Sequence, residues 1–157
     1  MPEFKVYDNF LDESDYRMIQ MRSGDCGWNV QSSNIGDDVK FFISRTDEPF
    51  FTDYIFKKIL KKIGDCELKE VYFNGQFPGR EGEFHTDDCK KTAIYYIGPY
   101  QPQWGGFTQL YKSDLQQIIV SPIPNRLLVF NSDILHKGYS YSYQTCPLRI
   151  NLVYKLS

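Results

Sequence analysis

From Glu67 onward the sequence falls into short β-prone runs, residues 68–73, 92–97, 107–111, 117–120, 127–130 and 149–154, cut apart by Gly, Pro, Asn and Asp. Many short strands with such punctuation pack as a sandwich, a barrel or a jelly roll. The aromatic content of 17%, with 12 Tyr and 12 Phe, points the same way, because flat rings pack well on a pleated surface. The expectation is a mainly β protein.

Two helices are expected ahead of this region, within residues 12–63. Asp12 suits an N-cap with Asp15 three positions later, and Tyr16, Met18 and Ile19 supply an apolar side before Ser23-Gly24-Asp25 ends the helix. The second opens after Pro49 and runs to about Ile63, where Gly64-Asp65 stops it. Its apolar positions are Ile55, Phe56, Ile59, Leu60 and Ile63, and Lys57, Lys58, Lys61 and Lys62 form its wet side. Elsewhere in the N-terminal part, strands are expected from Phe4, at 28–30 and at 39–45, with a polar loop at 31–38. A length of 157 residues fits one domain, 1–157, with helices on the outside of one sheet of a core spanning about 67–157.

Net charge of −2 and a pI near 5.7 give no basic face for nucleic acid or membrane. Cysteines 26, 66, 89 and 146 form no C-x-x-C pair, and the start Met-Pro-Glu-Phe lacks the apolar stretch of a signal peptide. Reduced thiols in a cytoplasmic protein are therefore expected, with Cys89 and Cys146 as packing residues.

The sequence has two histidines. In Phe84-His85-Thr86-Asp87-Asp88, His85 and Asp87 are two apart, so on an extended strand both project from one face. Joined by His136 from a later strand, they would make the 2-His-1-carboxylate set that holds non-haem Fe(II) and leaves positions open. On the next run, Arg149 and Asn151 alternate with apolar residues and point inward, a costly place for a cation without an anionic partner. Two partners fit: a carboxylate of the protein, or a dicarboxylate co-substrate paired with the planar guanidinium fork.

These elements, in order, resemble the 2-oxoglutarate and Fe(II)-dependent oxygenases, within them the prolyl 4-hydroxylase-like branch and its small microbial and phage-type members. The resemblance spans about 71–156. It rests on Tyr72-Phe73-Asn74-Gly75-Gln76, His85-Thr86-Asp87, Trp104-Gly105-Gly106-Phe107-Thr108-Gln109-Leu110, Pro124-Asn125-Arg126-Leu127-Leu128-Val129-Phe130, His136 and Arg149-Ile150-Asn151-Leu152. It implies a double-stranded β-helix, the cupin-like jelly roll, with iron held by His85, Asp87 and His136. It further implies that Arg149 binds the distal carboxylate of 2-oxoglutarate, with Tyr72 and Asn151 beside the co-substrate. Tyr72 reads equally as a core aromatic, Trp104 as a packing residue, and Arg126 as solvent-facing or paired with a local carboxylate.

The resemblance implies a hydroxylase that uses O2, releases succinate and CO2, and acts on a prolyl residue of a peptide or protein. The presence of Asp87 favours hydroxylation, since related halogenases lack this carboxylate. Three departures bear on the substrate: the 77–83 connection is longer than in many prolyl hydroxylases, arginine stands where many carry lysine, and the interval from His136 to Arg149 is wider. Residues 28–38 and 77–83 are candidate lids. A free amino acid or small metabolite stays open as substrate. So do a cupin-like metal protein with other chemistry and a non-catalytic jelly roll.

Overall fold

A computed structural model describes residues 3–32, 40–113 and 116–157. These residues form ten strands and two α-helices. The strands are β1 (Phe4–Tyr7), β2 (Asn29–Ser32), β3 (Lys40–Arg45), β4 (Leu68–Gln76), β5 (Lys91–Tyr96), β6 (Thr108–Ser113), β7 (Gln116–Val120), β8 (Arg126–Asn131), β9 (Leu135–Gly138) and β10 (Arg149–Leu156). A seven-stranded sheet runs β1-β8-β5-β10-β4-β3-β2 and faces a three-stranded sheet β7-β6-β9. Every pairing is antiparallel.

His85 adds a rudimentary fourth strand to the small sheet. It bridges His136 on the free side of β9, where His85 N–H donates to the His136 carbonyl at 3.0 Å and His136 N–H to the His85 carbonyl at 2.9 Å. The two-sheet antiparallel core is a jelly roll, as expected.

The central strands of the large sheet are buried on both faces, which is why they read as nearly continuous apolar runs rather than alternating ones. Val71 and Phe73 of β4, Ala93 and Tyr95 of β5, Leu127 and Val129 of β8, and Leu152, Tyr154 and Leu156 of β10 face the helices. Ile94 and Tyr96, with Leu128 and Phe130, face the small sheet and pack on Leu110 and Val120. Helix α1 (Glu13–Asp25) is capped by Asp12, whose side chain accepts from Asp15 N–H. Helix α2 (Phe56–Ile63) is preceded by a wider π-turn at Phe50–Ile55. Ile19, Phe51, Ile55, Ile59 and Ile63 join the core under the large sheet, while Lys57, Lys61 and Lys62 are exposed. Lys58 pairs with Asp15.

Several expectations need correcting or bounding. Met18 is 39% exposed rather than part of the apolar side of α1. Gln31 and Ser32 belong to β2 instead of a loop, and the rest of the polar stretch, 33–38, lies outside the described residues, as does Val39. The later strand expected to carry His136 had no bounds from the sequence; it is β9, Leu135–Gly138. Arg126 pairs with Asp8, Nε at 2.6 Å from Oδ1, and Trp104 packs against Tyr141 with ring centroids 5.3 Å apart.

Candidate active site

The paired backbones of His85 and His136 put both rings on one side of the small sheet, with centroids 4.3 Å apart. Each Nδ1 faces a carbonyl: His85 Nδ1 lies 3.1 Å from the Glu83 oxygen and His136 Nδ1 2.9 Å from that of Ile134. A carbonyl only accepts, so both Nδ1 atoms carry the proton and both Nε2 atoms present a lone pair. The lone pairs converge on Asp87, whose Oδ1 is 3.7 Å from His85 Nε2 and whose Oδ2 is 3.4 Å from His136 Nε2. Ligand atoms from the three residues lie within 4.8 Å of one another. That is the spacing and tautomer set a divalent metal requires.

The main chain holds Asp87 through its N–H, which donates to the Ser132 carbonyl at 2.9 Å. Burial pushes the Asp87 carboxyl up, but contacts with His136 and the Lys155 ammonium outweigh it and hold the carboxyl well below the usual range. Burial is the chief influence on His85 and pushes its imidazole down. Both shifts favour the protonation states that ligate metal: an ionised carboxylate and a neutral imidazole.

Inward-facing positions of the large sheet line the other side of the cavity. Alternation along β4 sends Tyr72, Asn74 and Gln76 inward, and along β10 it sends Arg149, Asn151, Val153 and Lys155 inward. Arg149 is 3% exposed. Its Nε donates to the Gly106 carbonyl at 2.6 Å, Nη1 to Gln76 Oε1 at 3.5 Å and Nη2 to Thr108 Oγ1 at 3.3 Å. With its amide turned to satisfy both ends, Asn151 accepts from Nη1 at 2.6 Å.

All of these partners are neutral. Burial pushes the guanidinium's pKa down, and no Asp or Glu among the described residues stands within ion-pair distance to offset the cost. Among the described residues, a protein carboxylate as partner, one of the two alternatives open from the sequence, is therefore not found. The fork keeps donor capacity beyond these four acceptors. Gln76 is itself oriented, because its Nε2 donates to the Arg80 carbonyl at 2.5 Å and to the Gly138 carbonyl at 3.2 Å, which turns its oxygen toward Arg149.

Gly82 and Glu83 bring the 77–84 connection into the cavity lining. Glu81 ties it down: Oε1 accepts from Ser140 Oγ at 3.2 Å and Oε2 lies 3.2 Å from Lys137 Nζ. The structure thus gathers His85, Asp87, His136, Arg149, Asn151 and Tyr72 around one cavity. Sequence reasoning gave no site role to Gln76, Thr92, Thr108 or Lys155, although Gln76 and Thr108 lie in the motifs that carry the resemblance. The same two-residue alternation that singled out Arg149 and Asn151, carried two steps further, reaches Lys155.

No family model matches the chain, and none of the curated proteins does. Solved structures do. A prolyl-4-hydroxylase of Pseudomonas putida aligns at 18% identity over 99% of this chain and 93% of its own, with a TM-score of 0.75. An oxidoreductase of the 2OG-Fe(II) oxygenase family from Burkholderia pseudomallei aligns at 12% identity over 99% and 85%, with a TM-score of 0.80. HygX from Streptomyces hygroscopicus, solved with nickel, 2-oxoglutarate and hygromycin B, aligns at 11% identity over 99% and 82%, with a TM-score of 0.73. The chain has the fold of these proteins.

Proposed function

We propose that residues 1–157 form a single oxygenase domain that depends on Fe(II) and 2-oxoglutarate and hydroxylates a prolyl residue in a peptide or protein. One observation carries the reading. The same cavity holds a convergent His85–Asp87–His136 cluster and, in Arg149, a buried cation with no carboxylate among the described residues to answer it. Fe(II) and a dicarboxylate supply what the two halves of the cavity lack.

His85 and His136 would hold the metal through Nε2, with their Nδ1–H groups fixed on the Glu83 and Ile134 carbonyls. Asp87 would supply the anionic ligand, already ionised by its surroundings. Arg149 would take the distal carboxylate of 2-oxoglutarate, its fork aimed by Gly106, Gln76, Thr108 and Asn151. Tyr72 lines the same cavity, paired with Val153 in the β4–β10 register. The bound iron, with 2-oxoglutarate and O2, supplies the oxidation that hydroxylates a substrate C–H bond and releases succinate and CO2. The protein's part is to orient the partners and, through the tied-down 77–84 segment, to limit water in the cavity. The four free cysteines support a reducing, cytoplasmic setting.

The likeness to a prolyl-4-hydroxylase supports the prolyl substrate. HygX, solved with hygromycin B, supports the second reading, a small-molecule substrate. Succinate formation from 2-oxoglutarate under Fe(II) and air, assayed with a panel of proline-containing peptides and with small metabolites, tests both. Peptide-stimulated turnover with hydroxyproline in the product is expected. Metal binding with no 2-oxoglutarate turnover under any condition overturns the oxygenase reading and leaves a cupin-like protein of other chemistry. Asp87→Ala with unchanged metal affinity points instead to a non-catalytic jelly roll.

A further inference from the structure

The two oxygens of Asp87 stand in unequal surroundings. Oδ2 accepts the Thr92 hydroxyl at 2.6 Å and carries the Lys155 ammonium. Oδ1 has His85 Nε2 at 3.7 Å, beyond hydrogen-bond reach. A carboxylate oxygen offers two in-plane lone-pair directions. On Oδ2 both are met by donors, with His136 Nε2 a further 3.4 Å away, whereas Oδ1, facing His85, receives no donor within hydrogen-bond reach.

The arrangement around Oδ2 is built into the large sheet. Thr92 and Lys155 are directly paired across β5 and β10, so hydroxyl and ammonium reach the same oxygen from adjacent strands. Thr92 is 1% exposed and Ser132 is fully buried. Thr92 has one hydroxyl proton, and it goes to Asp87. In the 2.9 Å contact between the Thr92 and Ser132 hydroxyls, Ser132 is therefore the donor. Ser132 also receives the Asp87 N–H on its carbonyl. The carboxylate is thus held at its main chain and at one oxygen, with the other left free.

We infer that Thr92 and Lys155 are positioning residues that occupy Asp87 Oδ2, so that the carboxylate meets a divalent metal through Oδ1 alone. This rests on the metal-site reading above and deepens it. A carboxylate bound through both oxygens would take a position that the co-substrate or dioxygen needs. A cation paired with the outer oxygen also offsets the cost of keeping that oxygen out of water and off the metal.

The test uses Mn(II), apo and loaded protein, and no turnover. Infrared difference spectra with carboxyl-13C aspartate report the separation of the two carboxylate stretches, wide for one-oxygen and narrow for two-oxygen binding. Wild type and Lys155→Arg are expected to show the wide separation. The Thr92→Val/Lys155→Met double variant is expected to show the narrow one, with 2-oxoglutarate binding weakened about 10-fold to 100-fold by calorimetry. A wide separation in the double variant, or a narrow one in wild type, overturns the inference. If the double variant does not fold by circular dichroism, Lys155→Met alone, read the same way, decides. Wild type that binds Mn(II) through one oxygen but not 2-oxoglutarate sinks the oxygenase reading while this inference stands. Wild type that binds no Mn(II) sinks both.

Discussion

Gly106 is where backbone, packing and the anion-binding arginine meet, and Gly106→Ala separates their contributions. The residue sits at φ +72°, a conformation an alanine adopts at a cost of about 1–2 kcal/mol. A Cβ there would lie 2.5 and 2.6 Å from two ring carbons of Tyr141 and 3.4 Å from Arg149 Cδ. Tyr141 cannot yield easily: it is 1% exposed, its hydroxyl donates to the Pro99 carbonyl at 2.5 Å, and its ring packs on Trp104. Overpacking of this kind costs about 1–3 kcal/mol. The Gly106 carbonyl also accepts from Arg149 Nε, so any backbone shift that relieves the clash moves the guanidinium.

Gly106→Ala should therefore lose about 2–5 kcal/mol in urea denaturation of the apo protein. It should also bind 2-oxoglutarate about tenfold or more weakly in calorimetry of the Mn(II)-loaded protein. Gly79→Ala is the control, at φ +77° with nothing within 4 Å of the added carbon; it should lose only the conformational part and leave 2-oxoglutarate binding unchanged. Equal stabilities for the two variants, with equal 2-oxoglutarate affinity, would refute the reasoning.

Four other expectations follow from the same geometry. Asp87→Asn should weaken Mn(II) binding by about 100-fold or more, measured by electron paramagnetic resonance, given that losing an outer partner alone typically costs 10-fold to 100-fold. Arg149→Gln removes charge-assisted hydrogen bonds worth about 1.5–3 kcal/mol and should weaken 2-oxoglutarate binding about 10-fold to 100-fold while leaving Mn(II) affinity intact. Mn(II) binding should be steady at and above about pH 6.5 and fall on the acid side of it as protons compete for the His85 imidazole, which burial depresses. Asp87 does not limit binding there: its depressed folded value means its stabilisation is present above about pH 3.9 and is lost only as pH falls through the lower folded value. Glu81→Gln should loosen the 77–84 connection by up to about 1 kcal/mol, seen as faster amide exchange in that segment; unchanged exchange there would show that the Ser140 and Lys137 contacts do not hold it.

What could be read from the sequence was whatever local alternation controls. Arg149 and Asn151 face inward because every second residue of β10 does, and the apolar partners between them say so. Lys155 obeys the same rule but stands just past the expected run 149–154, where a lysine reads as solvent-facing; its ion pair depends on Asp87 arriving from a distant segment. Thr92 was invisible for a related reason, since the register that sets it opposite Lys155 is a long-range pairing with no local mark. The bounds of strand β9 could not be read because Leu135-His136-Lys137-Gly138 has no β-branched residue and ends in glycine. The strand at His85 shrinks to a single bridge, too short for any periodicity. Helix α2 was legible to its last residue, while its π-turn entrance, which keeps Phe51 and Ile55 buried, breaks the ordinary helical spacing.

The bridge between His85 and His136 has a consequence for how such a site can vary. Reciprocal main-chain hydrogen bonds make the pair, and they are indifferent to which side chains precede them. Residues 77–84 therefore enter a junction whose far end is already clamped, much as an exchangeable tool is held in a fixed chuck. Changes of side chain there can reshape the cavity lining at Gly82 and Glu83 while the main-chain bonds keep the two imidazoles at their spacing.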